Sequence, residues 1–396
     1  MKRVALFPSA FHPSLGGVEE LTGQLALQMV KKGGGVLICT NRWPRALPAK
    51  EWWKGVLVHR FPFRLPEDNL KARVSFRLTG MRILGEVVRA LARFRAEVVH
   101  VHCVSANAWY AARAAEALGL PLVVSSHGER TMDANGLYEK SPLYNRILRD
   151  VLGRARWVTA CSKATLGDLQ TYWGREFPNG QSVVYGGVGE DAFCAASAWQ
   201  HPVPYIFALG RLVKQKGFSE LLKAFALADV PGVNLLLAGE GPERETLTEL
   251  RDSLGLCGKV HFVGRADRAQ VRSLFSGCIG LVVPSLREPM GIVALEGMAA
   301  GKPLVVSAVD GLREIVPEGP EARHVAPGDV GQLAEGIVWL ANRRETGSAT
   351  GLGERVADFL WANIAQKYAE IYEKIARRQF DGDSGRIAWG RALTFG

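Results

Sequence analysis

The sequence predicts an α/β protein made of two doubly wound parallel-sheet domains. Short apolar, β-branched-rich runs alternate with helical segments from the first residues onward. That alternation builds a parallel sheet with helices on both faces. It halts in an irregular stretch carrying Gly186, Gly187, Gly189, Pro202 and Pro204, and then begins again. Such a stretch marks a linker. A chain of 396 residues can supply two domains that each bury a core.

In the first half, strands are expected at 4–7, 35–40, 56–61, 98–102, 122–125, 157–160 and 182–185. Helical periodicity falls between most of them, at 18–32, 106–118 and 163–173. The first domain is therefore set at residues 1–190. After the linker, strands are expected at 205–209, 233–238, 260–263, 278–283 and 304–307. Helices are expected at 218–227, 243–254, 268–276, 291–300 and 330–342, which sets the second domain at 200–358. Residues 353–378 read as one long amphipathic helix with Phe359, Ile364, Tyr368, Ile371, Tyr372 and Ile375 on its apolar stripe. Its part from about 359 to 378 either crosses back to brace the first domain or packs on the second. The tail, 379–396, carries weak signals.

Hydrophobic and charged contents of 47% and 22% place the chain among globular proteins. The six cysteines stand singly, without a Cys-x-x-Cys pair. A zinc site or disulfide framework is not expected, and a reducing cytoplasm is. No apolar run approaches the roughly 18 residues that span a bilayer. The start, Met1-Lys2-Arg3 followed by a short apolar run, reads as a first strand, not a signal peptide. From residue 1 to 199 the chain has 26 Lys+Arg against 16 Asp+Glu, a net +10; from 200 onward it has 23 of each, a net of zero. A basic first half suits an anionic partner or a membrane surface bearing anionic lipid. Chance and solubility explain the same asymmetry.

Chemistry concentrates in the second half. Glu288 and Glu296 close the stretch Glu-Pro-Met-Gly-Ile-Val-Ala-Leu-Glu. The helix expected at 291–300 begins at the carboxyl end of a strand, where α/β sheets bind ligands. Its free N–H groups and dipole favour a phosphate. Two carboxylates beside a phosphate repel it, so they suit sugar hydroxyls instead. An anion-binding helix end with a hydroxyl acceptor on each side describes a nucleotide-sugar site. Gly210-Arg211 through Lys216-Gly217 follows the first strand of this half, and two cations there neutralise a diphosphate. The bland reading is a solvated basic loop.

Other signals are weaker. Ala238-Gly239-Glu240-Gly241 ends a strand but lacks the third glycine of a dinucleotide fingerprint. Gly264-Arg265 ends the next strand, where backbone groups could read a base edge; an ordinary turn explains both. Gly297 to Lys302 is one residue short of a phosphate loop and reads as a helix end. In the first half, Gly16-Gly17 permits close backbone approach to a ligand. His127-Gly128 ends a later strand, with His127 directed at the interdomain cleft. His100 and His102 share a strand face with no third ligand nearby, so no metal site is expected. The only Asp-x-Asp, Asp381-Gly382-Asp383, lies in the tail, so metal-bridged diphosphate chemistry is not indicated. No nucleic-acid module, nucleophile elbow or zinc-protease helix appears.

Taken together, these residues resemble the retaining glycosyltransferases of family 4, which have the GT-B fold. The Glu-x7-Glu spacing, Gly-Arg-Leu…Lys-Gly, Ala-Gly-Glu-Gly-Pro, Phe-Val-Gly and Gly-Met-Ala-Ala-Gly-Lys-Pro occur in the family's order, most densely from Leu209 to Ile315. Gly16-Gly17-Val18-Glu19 and His127-Gly128 are similar to its first-domain elements. Two Rossmann-like domains facing a central cleft are what the resemblance implies. Arg211 and Lys216 would hold the donor diphosphate, and Glu296 the ribose. Glu288 and the backbone of Met290, Gly291 and Ile292 would bind the donor sugar and adjoining phosphate, beside Pro289. Arg265 would sit by the base. Gly210 and Gly239 would line the donor site, with Gly16 and Gly17 opposite and His127 near the transferred sugar. Two positions depart from the family. Met290 replaces its usual aromatic residue, and Gly186-Gly187-Val188-Gly189 replaces an Asn-Gly-Val-Asp signature.

The implied activity is metal-independent, cofactor-free hexosyl transfer from a nucleotide-diphosphate sugar with retention. It belongs to polysaccharide, glycolipid or secondary-metabolite glycoside synthesis. The alternatives are a nucleotide-sugar epimerase on the same fold and a non-catalytic nucleotide-sugar-binding subunit. The acceptor hydroxyl is on a sugar, a lipid-linked carrier or a small molecule. Arg73, Arg77, Arg82, Arg89, Arg93 and Arg95 stud one helical stretch with apolar residues between them. That stretch is a membrane-surface face on the cytoplasmic side, or a core helix with a solvated basic side.

Overall fold

The computed structural model describes residues 2–14, 16–65, 70–130, 137–193, 196–343 and 351–382. It contains two sheets. The first comprises β1 (Arg3–Pro8), β2 (Gly35–Asn41), β3 (Lys50–Trp53), β4 (Val56–Phe61), β5 (Val98–His102), β6 (Leu122–Ser126), β7 (Trp157–Ala160) and β8 (Gln181–Val183). Their order is β3-β4-β2-β1-β5-β6-β7-β8. Only the edge pair β3–β4 is antiparallel. The second sheet comprises β9 (Tyr205–Leu209), β10 (Asn234–Ala238), β11 (Val260–Gly264), β12 (Leu281–Val283), β13 (Leu304–Ser307) and β14 (Ala322–Val325). Its order is β11-β10-β9-β12-β13-β14, all parallel.

Strand order reverses between β1 and β5 in one sheet and between β9 and β12 in the other. A crevice opens at the carboxyl ends of strands at such a point. Central strands β5, β6 and β10 are buried along their whole length, as apolar strands covered on both faces must be.

Several elements differ from the sequence expectation. The strand expected from 278 is confined to Leu281–Val283, because Cys278 caps the preceding helix, Arg268–Gly277. The basic stretch is one helix, Leu70–Phe94, except that Arg95 lies just past its end at φ +55°. Its Ile83, Val87 and Leu91 are buried in the core of the first sheet, while Arg82, Arg89 and Arg93 are exposed. The side chains of Arg73 and Arg77 lie outside the described residues.

The single long helix expected at 353–378 is three pieces. Helix Gly351–Val356 and the turn Ala357–Phe359 precede an extended Leu360, and helix Trp361–Gly382 follows. Leu352 and Val356 pack in the second sheet's core. Trp361, Ile364, Tyr368, Tyr372 and Ile375 pack with Leu6, Leu25 and Met29 of the first. The chain therefore crosses between lobes twice, and the crossings touch. Val188 N donates to Phe359 O at 2.9 Å, and Trp361 N donates to Val188 O at 3.1 Å. Residues 383–396, most of the expected tail, lie outside the described residues. Among the described residues, no helix is long and apolar enough to cross a membrane.

Candidate active site

The second lobe assembles the charged groups at the ends of β9 and β12. After β9, Gly210 and Arg211 lead into a short turn, Lys214–Lys216. Gly217 then takes φ +67°, and a β-carbon there would run into the Pro284 carbonyl oxygen. Only glycine lets the two loops press together. Gln215 O accepts from Leu286 N (2.8 Å) and Arg287 N (3.2 Å), which locks them. Lys216 Nζ consequently stands 2.5 Å from Glu288 Oε2. Ser285 Oγ donates to the same oxygen at 3.1 Å, and Glu288 N donates to Asp310 Oδ2 at 3.0 Å. Side-chain exposures of 20% and 10% make this ion pair nearly buried. Arg211 is exposed and has no ion-pair partner among the described residues.

Gly291 caps the helix Ile292–Ala299 with φ +94°, and a β-carbon there would lie 2.5 Å from Leu312 Cδ2. Among the described residues, the N–H groups of Gly291, Ile292 and Val293 have no acceptor. They form an open positive helix end. The first lobe faces it: an ideal β-carbon on Gly17 would lie 3.7 Å from Ile292 Cδ1. The two departures from the family pattern also meet here. Gly186 N donates to Met290 Sδ at 3.2 Å, so the methionine that replaces an aromatic is bonded to the glycine that replaces an asparagine.

Beside this helix is a cavity of about 620 Å³ lined by Gly16, Leu209, Ala266, Arg268 and Glu296, among others. Gly239 follows β10 at φ +136°. A β-carbon there would strike the Gly210 carbonyl, so the ends of β9 and β10 need glycine to sit this close. Arg265 is exposed, next to the cavity-lining Ala266. Burial pushes the Glu296 carboxyl up to about 7; Arg268 opposes the shift, while Glu20 and Asp191 add to it. Arg268 reaches across the cleft to Glu20 at 3.1 Å. Sequence reasoning missed that pair. The Asp267–Gln270 capping box announces a helix start there, but says nothing about a partner in the other lobe.

In the first lobe, His127 follows β6. Its N–H donates to Glu129 Oε2 at 2.8 Å, and its Nε2 lies 3.2 Å from His102 Nδ1. Burial pushes its pKa down to about 4, so it is neutral near pH 7. His100 bonds Tyr372 Oη and Ser125 Oγ, each at 2.6 Å, which occupies both ring nitrogens. Glu314, also unforeseen, accepts from Lys163 N and Ala164 N at 2.8 Å and from Tyr185 Oη at 3.0 Å. One carboxylate of the second lobe thus holds a helix start of the first.

Comparison with known proteins follows the same division. The model described as Glycosyltransferase Family 4 matches residues 15–191, and that described as Glycosyl transferases group 1 matches 191–352. An uncharacterized glycosyltransferase of Methanocaldococcus jannaschii is 30% identical over 48% of this chain and 53% of its own length. The first curated relatives are thus matched over about half their length. D-inositol 3-phosphate glycosyltransferase of Mycolicibacterium smegmatis is 27% identical over 91% of this chain and 86% of its own. The crystal structure of Anabaena Alr3699/HepE in complex with UDP-glucose superposes with a TM-score of 0.73 at 20% identity, covering 94% of this chain and 99% of that one. At that identity the likeness is one of fold, and the fold is GT-B. Two family models that meet at the linker, on a GT-B scaffold whose lobes face one cleft, mean that this chain belongs to glycosyltransferase family 4.

Proposed function

We propose that this protein transfers a sugar from a nucleoside-diphosphate sugar to an acceptor hydroxyl, with retained anomeric configuration and no metal in the step. One observation carries the reading. Arg211 stands exposed in the loop that leads to the Lys216–Glu288 pair, three acceptor-free N–H groups open the helix at Gly291, and Glu296 of that helix lines the cavity. As the glycosidic bond breaks, negative charge grows on the departing diphosphate. Arg211 grips two of its oxygens, and the helix end at Gly291 meets the inner phosphate. Groups already fixed in place need no reorganisation at that moment.

Lys216 divides its charge between Glu288 and the phosphate. Glu288 stays anchored by Ser285 and accepts from a sugar hydroxyl with its remaining capacity. Glu296 faces the cavity and accepts from the ribose. The acceptor enters from the first lobe past His127, which is neutral and bonds a hydroxyl without adding charge. Attack comes from the face that the diphosphate leaves, and the leaving phosphate oxygen takes the proton.

A thermal-shift panel of nucleotide sugars identifies the donor, because a true donor stabilises the folded state by mass action. Arg211→Ala is then expected to lower transfer by roughly 10²–10³-fold with the melting temperature unchanged. Transfer near the wild-type rate rejects the placement of the diphosphate. Donor converted in the absence of any acceptor would point to an epimerase.

A further inference from the structure

A second cavity, of about 530 Å³, opens at the edge of the first sheet under the C-terminal half of helix Leu70–Phe94. Leu37, Leu57 and Phe94 give it an apolar floor. Arg3, Lys50, Arg89 and Arg93 stand around it, contributed by β1, β3 and the helix. Among the described residues none of these four cations has an ion-pair partner. Glu86, the one carboxylate of the lining, is bonded to Arg82 at 3.4 Å. The Arg3 guanidinium lies 5.0 Å over the Phe94 ring, which positions it without neutralising it.

Four cations around one cavity repel one another, and the single carboxylate of the lining, already paired with Arg82, does not balance them. His59, in the same lining, is pushed down to about 4 by burial and by Lys50. The negative end of the helix dipole offers a partial explanation, since Arg93 lies in the last turn. It does not explain Lys50 on the edge strand or Arg3 at the start of β1. Arg3 and Phe94 lie at the amino end of the strands, whereas the donor crevice lies at their carboxyl ends. This cavity is therefore separate from the crevice.

We propose that this cavity is a binding site for a phosphate-bearing anion, whose phosphate the guanidinium groups grip while the apolar floor receives the adjoining carbon framework. Guanidinium forks match phosphate oxygens two at a time. The volume falls within the roughly 300–1,000 Å³ of small-molecule sites. The phosphate belongs either to a free ester or to a lipid head group, and two arms of one experiment separate these sources.

In the first arm, inorganic pyrophosphate is titrated calorimetrically into the full chain carrying Arg211→Ala. It is titrated also into that chain with Arg89→Gln and Arg93→Gln added. In the second arm, the wild type and the Arg89→Gln/Arg93→Gln variant are sedimented with phosphatidylcholine vesicles, with and without phosphatidic acid. Lys31→Gln/Lys223→Gln removes the same charge from exposed sites elsewhere and serves as control. We expect affinity to fall by about tenfold or more in the cavity variant and to hold in the control. Loss in the pyrophosphate arm assigns a free ester; loss confined to the vesicle arm assigns a lipid head group. Binding in neither arm overturns the proposal, as does equal loss in the control.

Discussion

Glu296→Gln is expected to stabilise the protein at pH 8, to leave it close to wild type at pH 5, and to weaken donor binding. Glu296 is held at about 7 against an ordinary 4.5, chiefly because its charged form loses water in the cavity. Glu20 and Asp191 repel that charge, and Arg268 attracts it. A carboxyl whose pKa is raised by folding binds its proton more tightly in the native state. Its contribution is favourable below the unfolded pKa and is lost as pH rises from about 4.5 to about 7. A shift of 7 − 4.5 = 2.5 units, at about 1.36 kcal/mol each, amounts to roughly 3.4 kcal/mol. About 2.5 kcal/mol of that is lost between pH 5 and pH 8. Glu296 keeps some contact with solvent, so about 1.5 kcal/mol is the working figure.

Glutamine keeps the size and the acceptor oxygen but cannot ionise. The assay is thermal melting of wild type and variant at both pH values, without donor. At about 2–4 °C per kcal/mol for a lobe of this size, the variant should gain on the order of 3–6 °C at pH 8 relative to its difference at pH 5. A difference that is the same at both pH values would refute the reasoning, since amide packing alone does not titrate. Under the proposed function, that gain is stability traded against function, a carboxylate kept in a costly place to accept from the ribose.

Two further outcomes follow from the geometry. Lys216→Met leaves the nearly buried Glu288 without its cation and should cost about 2–4 kcal/mol in urea unfolding; adding Glu288→Gln should restore much of the stability and none of the transfer. Gly291→Ala forces a non-glycine residue to φ +94°, with its β-carbon 2.5 Å from Leu312 Cδ2. It should cost roughly 2–3 kcal/mol, and donor affinity measured by calorimetry should fall with it because the N–H groups are displaced.

The two-sheet plan was legible because strands buried on both faces are written as apolar runs, as β9 and β12 are. Two edge strands, β3 and β14, were not. β3 has four residues and buries none fully, and β14 has an exposed arginine, Arg323, in its middle. Helix Pro142–Arg154 does carry a local signal, a proline in its first turn and Ile147, Leu148, Val151 and Leu152 on one face. The break at Leu360 could not be read, because the apolar stripe runs on through it. It is imposed by the return of the chain to the first lobe, where Leu360 pairs with Val188. Local stretches gave the candidate groups of the second lobe. The bonds that join the lobes, from Arg268 to Glu20 and from Glu314 to Tyr185, lie between residues too far apart for spacing to relate them.

Sequence spacing also separated two groups that the structure unites. In the sequence, Lys216 belongs with the diphosphate and Glu288 with the donor sugar, and no spacing relates the two. At 2.5 Å they are one neutral pair. That resolves a difficulty in the charge balance of the crevice. A lone carboxylate next to a diphosphate would oppose binding, and in a partly dry cleft the repulsion would be larger than in water. Paired with Lys216, Glu288 adds little net charge. The uncompensated positive elements are then Arg211 and the open helix end at Gly291. Arg211 is exposed in the loop after β9, and the N–H groups are fixed by a glycine that no other residue replaces without strain. Under the proposed function, that cation and the fixed dipole end together meet the negative charge that grows on the departing diphosphate.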